Sequence, residues 1–365
     1  MTDHKAELDE LLKVLPGFCR QYFIGISTRT SELTRLNYAR DLTVFFKYLR
    51  EETEQFAGIS ADQFDVKLLD QVTPDDIEAF LYYVTRYVTK VKVNVHGEQD
   101  RELEMERSNE ERAKARKLSS ISSLYRYLQR KKLIEKNPVE MVEKPKIREK
   151  AIIRLDPAEV ANLLDAIESG YGQSQHQKNY NRSNVVRDMA LITLLLGTGI
   201  RVSECTGIDL DHINPEDHAI LITRKGGKQE VVYYGDEVAE ALENYMEVRK
   251  KIKPIEGHEQ ALFLSSQRRR ITNRSVQLLV KKYAHIVTPL KHITPHKLRS
   301  TFGTSLYQET GDIYLVATVL GHRDVNTTRK HYAAQSDEQK IMASKKIRLR
   351  DEEPVTLTKL QNDKD

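Results

Sequence analysis

Apolar residues recur at helical spacing through the first part of the chain. Between Ser31 and Glu52, Leu33, Leu36, Tyr38, Leu42, Phe45, Phe46 and Leu49 fall close to a period of 3.6. That spacing predicts an amphipathic helix with Ser31 as its N-cap. TPDDIEAFLYYVTRYV (73–88) predicts a second helix, capped by Thr73 and with Asp76 in its first turn. EERAKARKLSSISSLYRYLQRKK (110–132) predicts a third, with Leu118, Ile121, Leu124, Tyr125 and Leu128 on one face. Asn137-Pro138 follows and ends it. Residues 1–140 therefore read as helices.

The pattern then changes. EKPKIREKAIIRLDP (143–157) carries charges and prolines without helical spacing and reads as a linker. A new helix begins with Asp156 as N-cap and Pro157 at its first position. GYGQSQHQKNYNRS (170–183) is polar and predicts an exposed loop. VVRDMALITLLLGTG is apolar almost all round, which predicts a buried helix. In HAILITRKGGKQEVVYY (218–234), two β-prone runs flank Gly226-Gly227, which predicts a hairpin with a two-residue turn. Beyond about 236 the pattern is helical again, and the charged tail after 350 reads as disordered. The expected fold is mainly α in two domains. A helical domain covers 1–145 and a linker 146–155. An α+β domain with a small antiparallel sheet covers 156–350, followed by a charged tail at 351–365.

Composition adds bounds. A chain of 365 residues suits two domains, and 39% apolar residues suffices for their cores. No apolar run is long enough to span a bilayer and no signal peptide is recognisable, so a soluble, cytoplasmic protein is expected. Cys19 and Cys205 lie too far apart in sequence for a CxxC site or a disulfide framework and read as reduced, partly buried thiols. A net charge of +4 hints only weakly at a polyanionic partner. Its distribution says more: Arg112, Lys114, Arg116 and Lys117 cluster, as do Arg268, Arg269 and Arg270. A solvated helix face explains such clusters about as well as DNA does.

Five segments carry candidate chemistry: TGIRVSE with Arg201 and Glu204, TRKGGK with Lys225, TPHKLRST with His296 and Arg299, LGHRD with His322, and TTRKHYA with Tyr332. In this order and spacing they resemble the tyrosine recombinase (phage integrase-like) family. That family's pattern is Arg, a hairpin Lys, His-x-x-Arg, a second His or Trp, and a Tyr about ten residues later. The resemblance covers the whole second half and extends more loosely to the first. It implies a helical core-binding domain, a catalytic domain, and DNA cleavage through a 3′-phosphotyrosyl link. Ser300 departs from the family, which often has a His there.

The residue types fit that chemistry. A phosphodiester gathers negative charge on its non-bridging oxygens in the transition state, and guanidinium forks suit it. Arg201 and Arg299 fit this role, each worth roughly 3–4 kcal/mol in comparable sites. A surface residue or salt bridge is the plainer reading of either arginine alone. Glu204 could hold Arg201 or simply form a helix-stabilising pair. By the resemblance, Lys225 is the general acid for the leaving 5′ oxygen, with Lys228 as the alternative. His296 takes the phenolic proton or contacts the phosphate, and His322 donates to a non-bridging oxygen. Either histidine alone would read as a cap or core residue. Tyr332, one of 17 tyrosines, is the nucleophile. At neutral pH only about one phenol in a thousand is ionised, so it needs cationic surroundings or a base.

No metal and no nucleotide cofactor is expected. No GxxxxGK[ST] loop and no carboxylate cluster occurs, and Pro295 interrupts the helix that a His292–His296 metal pair would need. The expected partner is double-stranded DNA carrying a specific site, with Arg112, Lys114, Arg116 and Lys117 as candidate phosphate contacts. The resemblance implies a homotetramer in which each subunit donates a C-terminal helix, here residues 336–347, to its neighbour. A helix packed on its own domain is the alternative. Length and wording favour the single-protein chromosome dimer resolvases, with an FtsK-type DNA translocase as candidate partner. An integrase of a mobile element, a type IB topoisomerase and a binding-only relative are the rivals.

Overall fold

A computed structural model of the chain describes residues 4–93, 101–147, 153–169, 182–224, 226–322 and 324–332. At 89–93, 101–104, 182, 183, 327 and 330–332 that description is of the backbone alone. The chain divides into two compact units, Met1–Glu149 and Lys150–Asp365. Residues 148–152 of the expected linker, 170–181 of the expected loop, the expected donated helix at 336–347 and the tail at 351–365 lie outside the described residues. Among the described residues, no helix is long and apolar enough to cross a membrane.

The first unit holds α1 (His4–Val14), α2 (Phe18–Gly25), α3 (Glu32–Glu52), α4 (Pro74–Tyr83) and α5 (Glu111–Arg130). Its caps are local chemistry. Ser31 accepts from the Thr34 amide, while Thr73 and Asp76 cap α4 reciprocally. The apolar faces of α3 and α5 meet in the core. Leu36, Leu42, Phe45, Phe46 and Leu49 are buried on one, and Leu118, Ile121, Leu124, Tyr125 and Leu128 on the other. Phe45 and Phe80 pack edge-to-face with centroids 5.2 Å apart. Leu33, expected on the apolar face, sits at its rim and is 49% exposed.

A hairpin corrects the all-helical reading of 1–140. The helix expected over 73–88 stops at Tyr83, and β1 (Arg86–Val93) pairs antiparallel with β2 (Arg101–Ser108). Val88, Thr89, Val91 and Val93 are β-branched, which favours a pleated strand. The register sets Lys90 opposite Glu104 and Lys92 opposite Glu102.

The second unit is built on α7 (Arg182–Thr198), which packs against α6 (Pro157–Glu168), α9 (Asp236–Arg249) and α11 (Pro295–Thr310). Ala190, Leu191, Ile192, Leu194 and Leu195 of α7 are buried, as its apolar sequence predicts. Arg182 and Ser183, expected in the loop, already belong to this helix. The remaining helices are α8 (Val202–Thr206), α10 (Asn273–Val287), α12 (Ile313–Leu320) and α13 (Val325–Tyr332). Asp156 and Glu159 form a capping box on α6, with Pro157 at its first turn. β3 (Ile213–Asn214), β4 (Ala219–Thr223) and β5 (Gln229–Tyr233) form an antiparallel sheet in that order. The β4–β5 turn is one residue longer than expected. Arg224 and Lys228 close it, the Arg224 amide donating to the Lys228 carbonyl over 2.7 Å. Gly226 and Gly227 both take positive φ, at 91° and 81°.

Cys19 and Cys205 are free and buried, and burial pushes the Cys205 thiol up to about 12. A thiol so shifted stays protonated and unreactive near neutral pH.

Candidate active site

The site begins where α7 ends. Gly199 turns the chain with φ 62°, and a Cβ there would lie 2.3 Å from the Phe302 ring and 2.9 Å from Leu320. Arg201 then stands at the N-cap of α8. Glu204, three residues on, accepts from both the Arg201 amide and its guanidinium, each over 2.7 Å. The Glu204 side chain is 2% exposed and that of Arg201 is 38% exposed. A buried carboxylate thus holds one terminal nitrogen of an arginine whose side chain is partly open to solvent.

Arg299 lies on α11, one turn after His296. It is buried, with one terminal nitrogen 2.5 Å from the Gly199 carbonyl and the other donating to the Leu320 carbonyl. His296 is exposed near the start of the same helix. Ser300 is buried and donates to the His296 carbonyl over 3.1 Å. Pro295 opens α11 rather than interrupting a helix, because its missing N–H falls in the first turn.

His322 follows a Schellman ending of α12. Gly321 is left-handed at φ 61°, its amide reaches the Thr318 carbonyl, and the His322 amide reaches the Ala317 carbonyl. The His322 Nδ1 lies 2.7 Å from the hydroxyl of Thr328, a fully buried residue of α13. That contact orients the imidazole. Asp324 caps α13, its carboxylate accepting from the Asn326 amide over 2.9 Å. Tyr332 ends α13; its side chain and all of Lys225 lie outside the described residues. Lys228 is exposed.

The sequence reading missed Arg224. It continues the buried face of β4 set by Ile220 and Ile222, and is itself 7% exposed. Its guanidinium grips Glu230 with two hydrogen bonds of 3.1 and 2.8 Å. Those bonds, with the attached charge, hold the Glu230 carboxyl below its usual range. Arg224 also lies 3.4 Å from Glu204 and donates to the Leu320 and Val319 carbonyls over 3.2 and 3.1 Å. Strand alternation was the signal that could have found it.

Arg201, Arg224 and Arg299 are therefore drawn together through shared acceptors, and His322 follows Leu320 by two residues. Glu204 joins Arg201 to Arg224, and the Leu320 carbonyl joins Arg224 to Arg299. Such a cationic recess suits an anionic phosphoryl group.

The basic residues of α5 divide. Arg112 is exposed, and Lys114 pairs with Glu111 over 2.9 Å. Asp41, 1% exposed, takes Arg116, Lys117 and the Ser120 hydroxyl. Lys117 has a side chain only 6% exposed, so its ammonium serves the α3–α5 contact rather than a surface. Arg270 is engaged by Asp209 and by the Thr206 and Ile208 carbonyls. Asp209, Asp211 and His212 have ligand atoms within 4.8 Å of one another, but Asp209 is already held by Arg270.

A cluster of guanidiniums in a mainly α, two-unit fold fits a class of protein that acts on phosphoryl groups, and comparison with known proteins defines that class. Residues 154–339 match the phage integrase family. A tyrosine recombinase XerC of Caldanaerobacter subterraneus subsp. tengcongensis is 33% identical, covering 84% of this chain and 79% of the relative. A tyrosine recombinase XerS of Streptococcus uberis is 29% identical, covering 92% of this chain and 96% of the relative. XerH site-specific recombinase, solved on a palindromic difH substrate, shares the fold with a TM-score of 0.64 at 21% identity. That alignment covers 86% of this chain and 80% of XerH. The chain belongs to the phage integrase family, the tyrosine recombinases, and is a site-specific DNA strand transferase.

Proposed function

We propose that this recombinase cuts DNA with Tyr332 and resolves chromosome dimers. The phenolic oxygen attacks the scissile phosphorus, forming a 3′-phosphotyrosyl bond as the bond to the 5′ oxygen breaks. His296 receives the phenolic proton and Lys225 gives a proton to the departing 5′ oxygen. Arg201, Arg299 and His322 neutralise the non-bridging oxygens. A phosphodiester is exchanged for a phosphotyrosyl ester, so the bond energy is kept and neither ATP nor metal is called for. The hydrogen-bonded path from Arg201 through Glu204, Arg224 and the Leu320 carbonyl to Arg299, with His322 two residues after Leu320, supports this reading.

Dimer resolution is supported by likeness to XerS proteins over nearly their whole length. In this role the chain acts as a homotetramer on its DNA site, linked by the 336–347 segments and coupled to an FtsK-type translocase. It works in the cytoplasm. Arg112, Lys114 and Arg116 on α5 are the candidate phosphate contacts of the first unit.

A nicked suicide substrate tests the chemistry. Tyr332→Phe is expected to bind that DNA normally and form no covalent adduct on a denaturing gel. A covalent adduct from the Phe variant would assign the nucleophile elsewhere. Sequencing the DNA trapped on the wild-type protein in cells separates the biological roles. Reads at one chromosomal site support dimer resolution, and reads at the ends of an element would make it an integrase. Relaxation of plasmids without any site dependence would instead indicate a topoisomerase.

A further inference from the structure

Arg224 is out of place for a β-strand residue. It is a permanently charged group, 7% exposed, at the end of a strand whose other inward residues are Ile220 and Ile222. Burying a guanidinium is costly unless every donor finds an acceptor. Here its acceptors come from three elements besides its own: Glu230 on β5, Glu204 on α8, and the Val319 and Leu320 carbonyls on α12.

The arrangement does more than satisfy the charge. One oxygen of Glu204 bonds the Arg201 side chain, and the other accepts from the Arg201 amide and faces Arg224. Rotation of the Glu204 carboxylate would therefore move the Arg201 fork. On the other side, the Leu320 carbonyl accepts from both Arg224 and Arg299. Next along the chain, Gly321 lies against the Arg224 guanidinium: a Cβ at Gly321 would sit 2.6 Å from its central carbon. Gly321 immediately precedes His322. One side chain thus touches the supports of three groups that face the recess, without being one of them.

We propose that Arg224 is a positioning residue, which sets the Arg201 fork through Glu204 and the His322 turn through Leu320 and Gly321. This rests on the reading of Arg201 as a phosphate contact. The role is a geometric one, so its loss should appear in the rate of strand cleavage more than in DNA binding. A displacement of about an ångström in such a support can cost roughly a hundredfold.

The test compares two DNA substrates in single-turnover cleavage. One carries the natural phosphodiester, the other a methylphosphonate at the scissile position. A methylphosphonate is neutral, so its transition state depends less on correctly placed guanidinium groups. Arg224→Met should lose about a hundredfold on the diester and at least about tenfold less on the methylphosphonate, with DNA affinity near wild type. Arg201→Ala is the control and should show the same relief. Failure of Arg201→Ala to gain from the neutral substrate would sink the phosphate-contact reading. Relief for Arg201→Ala together with equal losses on both substrates for Arg224→Met would overturn the positioning role and leave Arg224 as a fold residue. Should Arg224→Met not fold, Arg224→Lys keeps the charge beside Glu204 and Glu230 but loses the fork. It is expected to show the same substrate-dependent pattern, and equal losses there count against the proposal in the same way.

Discussion

A buried carboxylate sits between basic partners in each unit, Asp41 in the first and Glu204 in the second, and the two uses differ. In the first unit, Asp41 draws in Arg116, Lys117 and Ser120, so an apparently basic stretch of α5 is partly turned inward. In the second, Glu204 sits between Arg201 of its own turn and Arg224 from the end of β4. The partners of Asp41 all lie on the facing helix α5, which makes a staple between helices. Glu204 instead takes one terminal nitrogen of Arg201 in its own turn and faces Arg224 from beyond β4, which makes a mount for Arg201. Backbone carbonyls extend the mount: Arg299 and Arg224 are held at Leu320 without further neutralising their charge.

The largest expected effects separate staple from mount directly. Asp41→Ala and Glu204→Ala each leave a buried cation short of its partner, which costs about 3–5 kcal/mol of stability for a pair of this kind. Chemical denaturation of each variant measures it. Only Glu204→Ala should also slow cleavage by the folded fraction, by about a hundredfold in single turnover. An equal slowing in Asp41→Ala would erase the distinction.

Acid should act on the mount at Glu230. Its carboxyl is lowered in the folded protein, chiefly by the hydrogen bonds from Arg224. A lowered folded value contributes stability that is present above the ordinary carboxylate range and fades as pH falls through the folded value. Urea midpoints of wild type and Glu230→Gln should therefore differ most near neutral pH and converge in acid. A difference that grew on acidification would contradict the pairing. The smallest effect concerns α5. Arg112→Ala should lower the salt slope of DNA binding by about one unit, while Lys117→Met, internal to the staple, should leave it unchanged. A lowered slope for Lys117→Met would show that its ammonium reaches the DNA after all.

Much of this was legible in the sequence where the cause is local. The caps at Ser31, Thr73 and Asp156 depend on residues three positions away, and all three form. Arg201, Glu204, Arg299 and His322 sit in short motifs whose order carries them, and hydrogen bonds through Arg224 and the Leu320 carbonyl link the first three. Lys117 was misjudged because its partner, Asp41, lies 76 residues earlier, and no local pattern reveals a distant buried carboxylate. The β1–β2 hairpin was missed because the helical pattern of α4 runs on into Val84 and Tyr87 without a strong breaker. Arg224 was passed over as one more base beside Lys225, although the alternation Ile220, Ile222, Arg224 points it inward.

The contact between His322 and Thr328 ties two tasks to one short helix. The hydroxyl that steers the imidazole and residue 332 ride on the same two turns, four residues apart. Undocking that helix would release the ring at the same moment as it moved Tyr332, the nucleophile proposed above. A subunit in that state would be silent by construction, with no separate brake needed.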